Sequence, residues 1–69
     1  MRLSARNVLK GTVVKLVPGA LNTEVVIKID EGVEIVSMIS KESATNLGLA
    51  VGGPAYAVIK ASNVIVAVD

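Results

Sequence analysis

Apolar residues recur at every second position through much of this chain, and Val and Ile supply most of them. Over residues 23–30, Val25, Ile27 and Ile29 alternate with Glu24, Lys28 and Asp30, the period-two pattern of a strand with one buried face. Val26 is the exception, an apolar residue on the polar side. A first strand is expected over 7–17, ended by Pro18-Gly19, because proline supplies no ladder donor and glycine accepts positive φ. Glu31-Gly32 is the expected hairpin turn into a third strand over 33–39. The period then changes, and residues 40–49 read as a short helix. Ser40 suits the N-cap and Glu42 the first turn, Ala44, Leu47 and Leu49 make the apolar side, and Gly48 is the left-handed stop. Gly52-Gly53-Pro54 is a loop before a fourth strand over 55–60, and Ala61-Ser62-Asn63 joins that strand to a fifth over 64–68.

Five short strands with one helix between the third and fourth are the layout of an all-β, five-stranded OB-like barrel, although small SH3-like barrels share the strand count. Two strands depart from simple alternation. In the third, Val33, Ile35 and Ile39 alternate with Val36 and Met38, and the fifth is apolar throughout. A strand apolar on both faces needs a second covering layer. A neighbouring subunit supplies that layer in one reading, and a loop shielding an aggregation-prone edge supplies it in the other.

Composition favours the subunit. A chain of 69 residues is expected to be one domain, and a domain of this size buries only about 60% of its unfolded surface. Such domains usually need a disulfide, a metal or partner chains as a staple. Cysteine and histidine are both absent, which removes disulfides and the usual structural zinc sites. The chain is 52% hydrophobic and only 19% charged, so partner subunits are the staple that remains.

The same inventory narrows the function. No apolar run approaches the roughly 18–20 residues that span a bilayer, and the segment from Met1 to Asn7 has no signal-peptide core. A cytoplasmic protein with no membrane partner is expected. A net charge of +1 and a single aromatic residue, Tyr56, argue against nucleic acid. Without His or Cys there is no common base–nucleophile pair, and no phosphate-binding loop motif is present. The acids fall on polar strand positions or turns, so a binding role rather than an enzyme is expected.

Two segments carry candidate chemistry. Ser4-Ala5-Arg6-Asn7 and Lys60-Ala61-Ser62 each join a cation to a hydroxyl across a small alanine, at a strand end where backbone N–H groups are available. Arg6 offers a planar fork of donors and Lys60 a compact charge, the inventory for a tetrahedral oxyanion. Ordinary surface residues at strand ends have the same spelling, and spacing alone favours that reading.

Taken together, these residues resemble the Mop family of stand-alone molybdate-binding proteins, the molbindins. The resemblance is carried by Ser4-Ala5-Arg6-Asn7 with Gly11, by Gly19-Ala20-Leu21-Asn22-Thr23-Glu24-Val25, by Ser40-Lys41-Glu42-Ser43-Ala44 with Asn46-Leu47-Gly48-Leu49, and by the run from Ala55 to Ser62 with Val64. It covers essentially the whole chain. Gly52-Gly53-Pro54 departs from it, since relatives often carry acidic residues there.

The resemblance implies a five-stranded OB-like barrel of Mop/TOBE type, assembled as a homohexamer, a trimer of dimers. Molybdate or tungstate would sit at subunit interfaces, held by Ser4, Ala5, Arg6, Lys60, Ala61 and Ser62 from different subunits, with Ser40 and Lys41 close by. Gly19, Ala20 and Asn22 would belong to a second class of site near a threefold axis. Molybdenum would be contacted only through its oxygens, with no organic cofactor. The implied role is oxyanion storage and homeostasis. A regulatory module acting on a transporter or transcription regulator is the alternative, and a nucleic-acid-binding OB module a more distant one.

Overall fold

The computed structural model of the chain describes residues 1–30 and 32–69. Its elements are β1 (Asn7–Pro18), β2 (Asn22–Ile29), β3 (Glu34–Ser40), the helix α1 (Lys41–Asn46), β4 (Pro54–Ile59) and a 3-10 turn over Ala61–Asn63. The strands form one antiparallel sheet in the order β3-β2-β1-β4. β1 is the spine. Its first half pairs with β4, from Asn7 opposite Ile59 to Thr12 opposite Pro54, and its second half pairs with β2, from Gly11 opposite Ile29 to Pro18 opposite Thr23.

β1 pairs with both strands at Gly11 and Thr12 and is bulged just beyond them. The register with β2 slips between Val13 and Lys15, leaving Val14 as the extra residue. There the backbone of Val13 turns to the loop before β4: its N–H donates to Gly53 O at 2.9 Å, and its carbonyl accepts from Gly52 N at 2.8 Å. A bulge bends a strand and increases its twist, and the sheet curls around a core of Val13, Val25, Ile27, Ile29 and Ala57. Val13 is the most enclosed, at 1% exposure. The three apolar positions that set the alternation of β2 all lie in this core. Val26 faces outward yet is buried, lying opposite Lys15 on one side and Val36 on the other.

Gly11 lies where both partners of β1 meet. A Cβ at this position would come within 2.8 Å of the Ile27 side chain and 3.0 Å of Ile29, and closer still to the Lys28 carbonyl oxygen. The helix follows expectation at both ends but is shorter than 40–49. Ser40 Oγ accepts from Ser43 N–H at 3.0 Å, and Gly48 stops the helix at φ 63°. Ala44 and Leu49 are half-buried, whereas Leu47 is exposed. Of the expected Glu31-Gly32 turn, Glu31 lies outside the described residues, and Gly32 has φ 83° and donates its N–H to Ile29 O at 2.9 Å.

The expected fifth strand is the main correction. Among the described residues the sheet has four strands, and residues 64–69 pair with none of them. A strand exists only through its neighbours, and this segment leaves β4 through a hydrogen-bonded turn, with Val64 N–H donating to Ala61 O at 3.2 Å. Ile65 is 93% exposed and Val66 85%. The OB-like barrel is consequently open along a seam between the outer edges of β3 and β4, whose walls are largely apolar. Among the described residues no helix is long and apolar enough to cross a membrane.

Candidate functional site

Arg6 immediately precedes β1, and Lys60 immediately follows β4. Antiparallel pairing of the two strands brings these ends together, because Asn7 lies opposite Ile59. The pairing is latched by a side chain: Asn7 Nδ2 donates to Ile59 O at 3.2 Å, across 52 positions of sequence. Asparagine at a strand end readily bonds to backbone in this way. Both candidate segments thus hang from one latched corner of the sheet.

Between them lies an open basin of about 540 Å³ lined by Ser4, Ala5, Arg6, Val58, Lys60, Ala61 and Ser62. Six of the seven residues of the two sequence segments meet there, all but Asn7. Ala61 and Ser62 open the 3-10 turn, and their amide N–H groups donate to no backbone carbonyl among the described residues, as is usual for the first residues of a helical turn. The basin therefore offers a guanidinium, an ammonium, two hydroxyls and unpaired amides.

Its electrostatics are one-sided. No carboxylate lines the basin, and the one ion pair among the described residues is elsewhere, Lys15 Nζ to Glu24 Oε2 at 3.8 Å. Arg6 and Lys60 are like charges on a common rim, with no counter-charge at ion-pair distance among the described residues. An anion between them would relieve that repulsion. Among the described residues no group of His, Cys, Asp or Glu is arranged to hold a metal ion, so the basin offers donors to an oxyanion's oxygens and no ligands to a metal.

The remaining candidates lie elsewhere. Gly19, Ala20 and Asn22 form the turn at the other end of β1, on the order of 35 Å of strand path from Asn7. They border a second basin of about 510 Å³ with Val17, Leu21, Glu24 and Met38. It contains no cation, and Glu24 adds a negative charge. Ser40 and Lys41 are brought to this end: Ser40 lies opposite Asn22, and Lys41 N–H donates to Leu21 O at 2.9 Å. Within one chain they do not join the Arg6–Lys60 basin.

Two contributors lie outside the set expected from sequence. Val58 forms part of the basin wall, and Asn7 fixes its frame. The signal for Asn7 was its place at the strand end directly after Arg6. Asn7→Ala should weaken anion binding about threefold to tenfold, corresponding to a hydrogen bond worth roughly 0.5–1.5 kcal/mol. Isothermal titration calorimetry measures this, and unchanged affinity would leave the latch without a role in binding.

Comparison with known proteins places this geometry in context. The TOBE domain family matches residues 3–66. A probable molybdenum-pterin-binding protein of Haemophilus influenzae is 45% identical over 69 residues, covering both chains completely. Molybdenum-pterin-binding protein MopA of Rhodobacter capsulatus is 43% identical over 67 residues, and the chain spans only 25% of that longer relative. Among solved structures, MopII from Clostridium pasteurianum superposes with a TM-score of 0.92 at 42% identity, covering 97% of this chain and 100% of the other. The cytoplasmic molybdate-binding protein ModG, solved with molybdate bound, gives 0.91 at 55% identity and covers 94% of this chain and 46% of its own.

Proposed function

Because this chain belongs to the TOBE-domain family, among its Mop proteins, we propose that it binds molybdate or tungstate in the basin between Arg6 and Lys60. The observation that carries this reading is the convergence of Ser4, Ala5, Arg6, Lys60, Ala61 and Ser62 on one basin free of carboxylates. The role is cytoplasmic storage and buffering of the oxyanion by a non-enzymatic binding protein. The working form is a homo-oligomer, the hexamer that the family resemblance implies, with the basin at a subunit interface. Exposed Val36, Met38 and Leu21 supply apolar surface for such contacts. The turn at Gly19, Ala20 and Asn22, with Ser40 and Lys41 beside it, is a second, weaker anion position. No cation lines its basin and Glu24 does, which makes it the weaker of the two positions.

Selectivity follows from the donor set. Near neutral pH phosphate retains a proton that seeks an acceptor, and no carboxylate in the lining supplies one. The hydroxyls of Ser4 and Ser62 accept weakly, so the filter is partial. Sulfate has the charge of molybdate but shorter bonds, and it reaches fewer donors at once. Tungstate matches molybdate in size and charge and is not distinguished.

Equilibrium dialysis against molybdate, with sulfate and phosphate as competitors, tests the reading. Uptake of molybdate that excess sulfate fails to displace is the expected result, and displacement by equimolar sulfate would refute it. Thermal unfolding gives an independent check. At about 100 times the dissociation constant, a ligand bound only by the folded form adds roughly 2.7 kcal/mol, or about 10 °C or more in Tm for a domain of this size. Molybdate should produce this shift and equimolar sulfate only a small part of it.

A further inference from the structure

Beyond its two alanines, the described lining of the Arg6–Lys60 basin has one apolar side chain, that of Val58. Along β4 the less exposed residues are Ala55, Ala57 and Ile59, and the alternation turns Tyr56 and Val58 outward. Lys60 continues in extended geometry, at φ −64° and ψ 131°, and so follows Val58 on the outer side. Val58 lies opposite Val8; both are exposed, and neither belongs to the core. Arg6 and Lys60 take the next step beyond this pair. Side chains two residues apart on one face of a strand are separated by roughly 7 Å, so Val58 forms the floor beside which the Lys60 ammonium stands. An outward position on an antiparallel sheet is ordinarily polar. Packing offers one account of the exception, because Val58 also borders two basins, of about 380 and 480 Å³, along the seam between β3 and β4. That account concerns stability and assembly and is silent on the choice of anion.

The main chain beside the basin keeps its acceptors engaged and its donors free. Ile59 O accepts from Asn7 Nδ2 at 3.2 Å, Lys60 O from Asn63 N–H at 2.9 Å, and Ala61 O from Val64 N–H at 3.2 Å. The N–H groups of Ala61 and Ser62 donate to no backbone carbonyl among the described residues. In the described lining the hydroxyls of Ser4 and Ser62 are the only side-chain acceptors. A polar residue at position 58 would add another in the floor.

We propose that Val58 is a specificity-determining residue of the basin, and that it acts by withholding a hydrogen-bond acceptor from oxyanions that carry a proton. Hydrogen phosphate lying on this floor turns a hydroxyl toward valine methyl groups and leaves its proton unpaired, which costs binding energy. Molybdate and sulfate have no proton to place and lose nothing there. Discrimination of this kind comes from what the site denies the wrong ligand, not from an added contact to the right one. The role of Val58 rests on the oxyanion reading of the basin and names the side chain that sets its choice.

Competition calorimetry with molybdate, sulfate and inorganic phosphate tests this on the parent and three variants, each checked for folding by circular dichroism. Val58→Thr keeps nearly the same shape and remains a good strand former. It should lower the ratio of molybdate to phosphate affinity about threefold to tenfold, the worth of one hydrogen bond that phosphate alone can donate. Val58→Asn, which brings an amide carbonyl, should lower it by about tenfold. In both, the ratio of molybdate to sulfate should stay within about twofold of the parent's. Val58→Ala removes bulk without adding an acceptor and should leave both ratios in place. Folded Thr and Asn variants with the parent's molybdate-to-phosphate ratio overturn the proposal. So does loss of all three anions in step, the mark of a purely structural residue. An Ala variant whose ratio falls as far as that of Thr overturns it too, because shape alone would then set the choice. If the Asn variant fails to fold, the Thr and Ala pair decides. A parent protein that takes up none of the three anions refutes the oxyanion reading itself, and the role of Val58 falls with it.

Discussion

Replacing both cations, in an Arg6→Ala/Lys60→Ala variant, should lower molybdate affinity by about 10²–10⁴-fold while leaving the fold intact. Each side chain contributes charge-assisted hydrogen bonds worth roughly 1.5–3 kcal/mol, and 1.4 kcal/mol is a factor of ten in affinity. Neither residue packs in the core, and both are exposed, so unfolding is not the expected cost. Removing the like charges on one rim relieves repulsion in the unliganded protein, which separates loss of binding from loss of stability. Equilibrium dialysis with circular dichroism on the same samples reads both. A folded double variant with undiminished uptake would place the anion elsewhere, with the Gly19 turn the next position to examine. Lys60→Arg should fall between, because a planar fork does not reproduce a compact ammonium.

The second large effect concerns the spine strand. Gly11→Val should lower unfolding free energy by about 3 kcal/mol, the upper end of the usual range for overpacking a tight site. The obstacle is partly a main-chain carbonyl, that of Lys28, flanked by the branched side chains of Ile27 and Ile29. A carbonyl in a strand ladder cannot rotate aside without breaking its pairing. Relief would come from parting β1 from β2, the pair that carries most of the core. Urea unfolding at one fixed protein concentration measures the change, since assembly makes apparent stability concentration-dependent. Thr12→Val, at the adjacent exposed position, should be close to neutral. Equal loss in the two variants would mean that strand propensity, rather than close approach at Gly11, governs this position.

What the sequence disclosed depended on whether its signals were local. The alternation of Val25, Ile27 and Ile29 is local, and all three are in the core. Ser40 and Gly48 bound the helix because capping is decided within a few residues. The bulge at Val14 leaves a trace in the sequence: Val13 and Leu16, both inward-facing, are separated by an odd step in a period-two strand. Residues 64–68 read as a strand and pair with none of the described strands, because a strand's partner is not written in its own residues. The anion basin divides similarly. Chemistry at Arg6 and Lys60 was visible in each segment, whereas their proximity arises from the long-range pairing of β1 with β4 and from the Asn7 latch. Ser40 and Lys41 entered through family resemblance, and the register of β3 puts them at the opposite end of β1.

Tyr56 is the only aromatic residue of the chain. It is half exposed and borders both basins of the seam. With no tryptophan to collect its excitation energy, ultraviolet emission from this protein comes from one ring at one known place. Its polarisation and its access to a neutral quencher depend on whether the seam beside it is open or covered. The chain thus carries an intrinsic optical gauge of seam occupancy, readable in solution without any label.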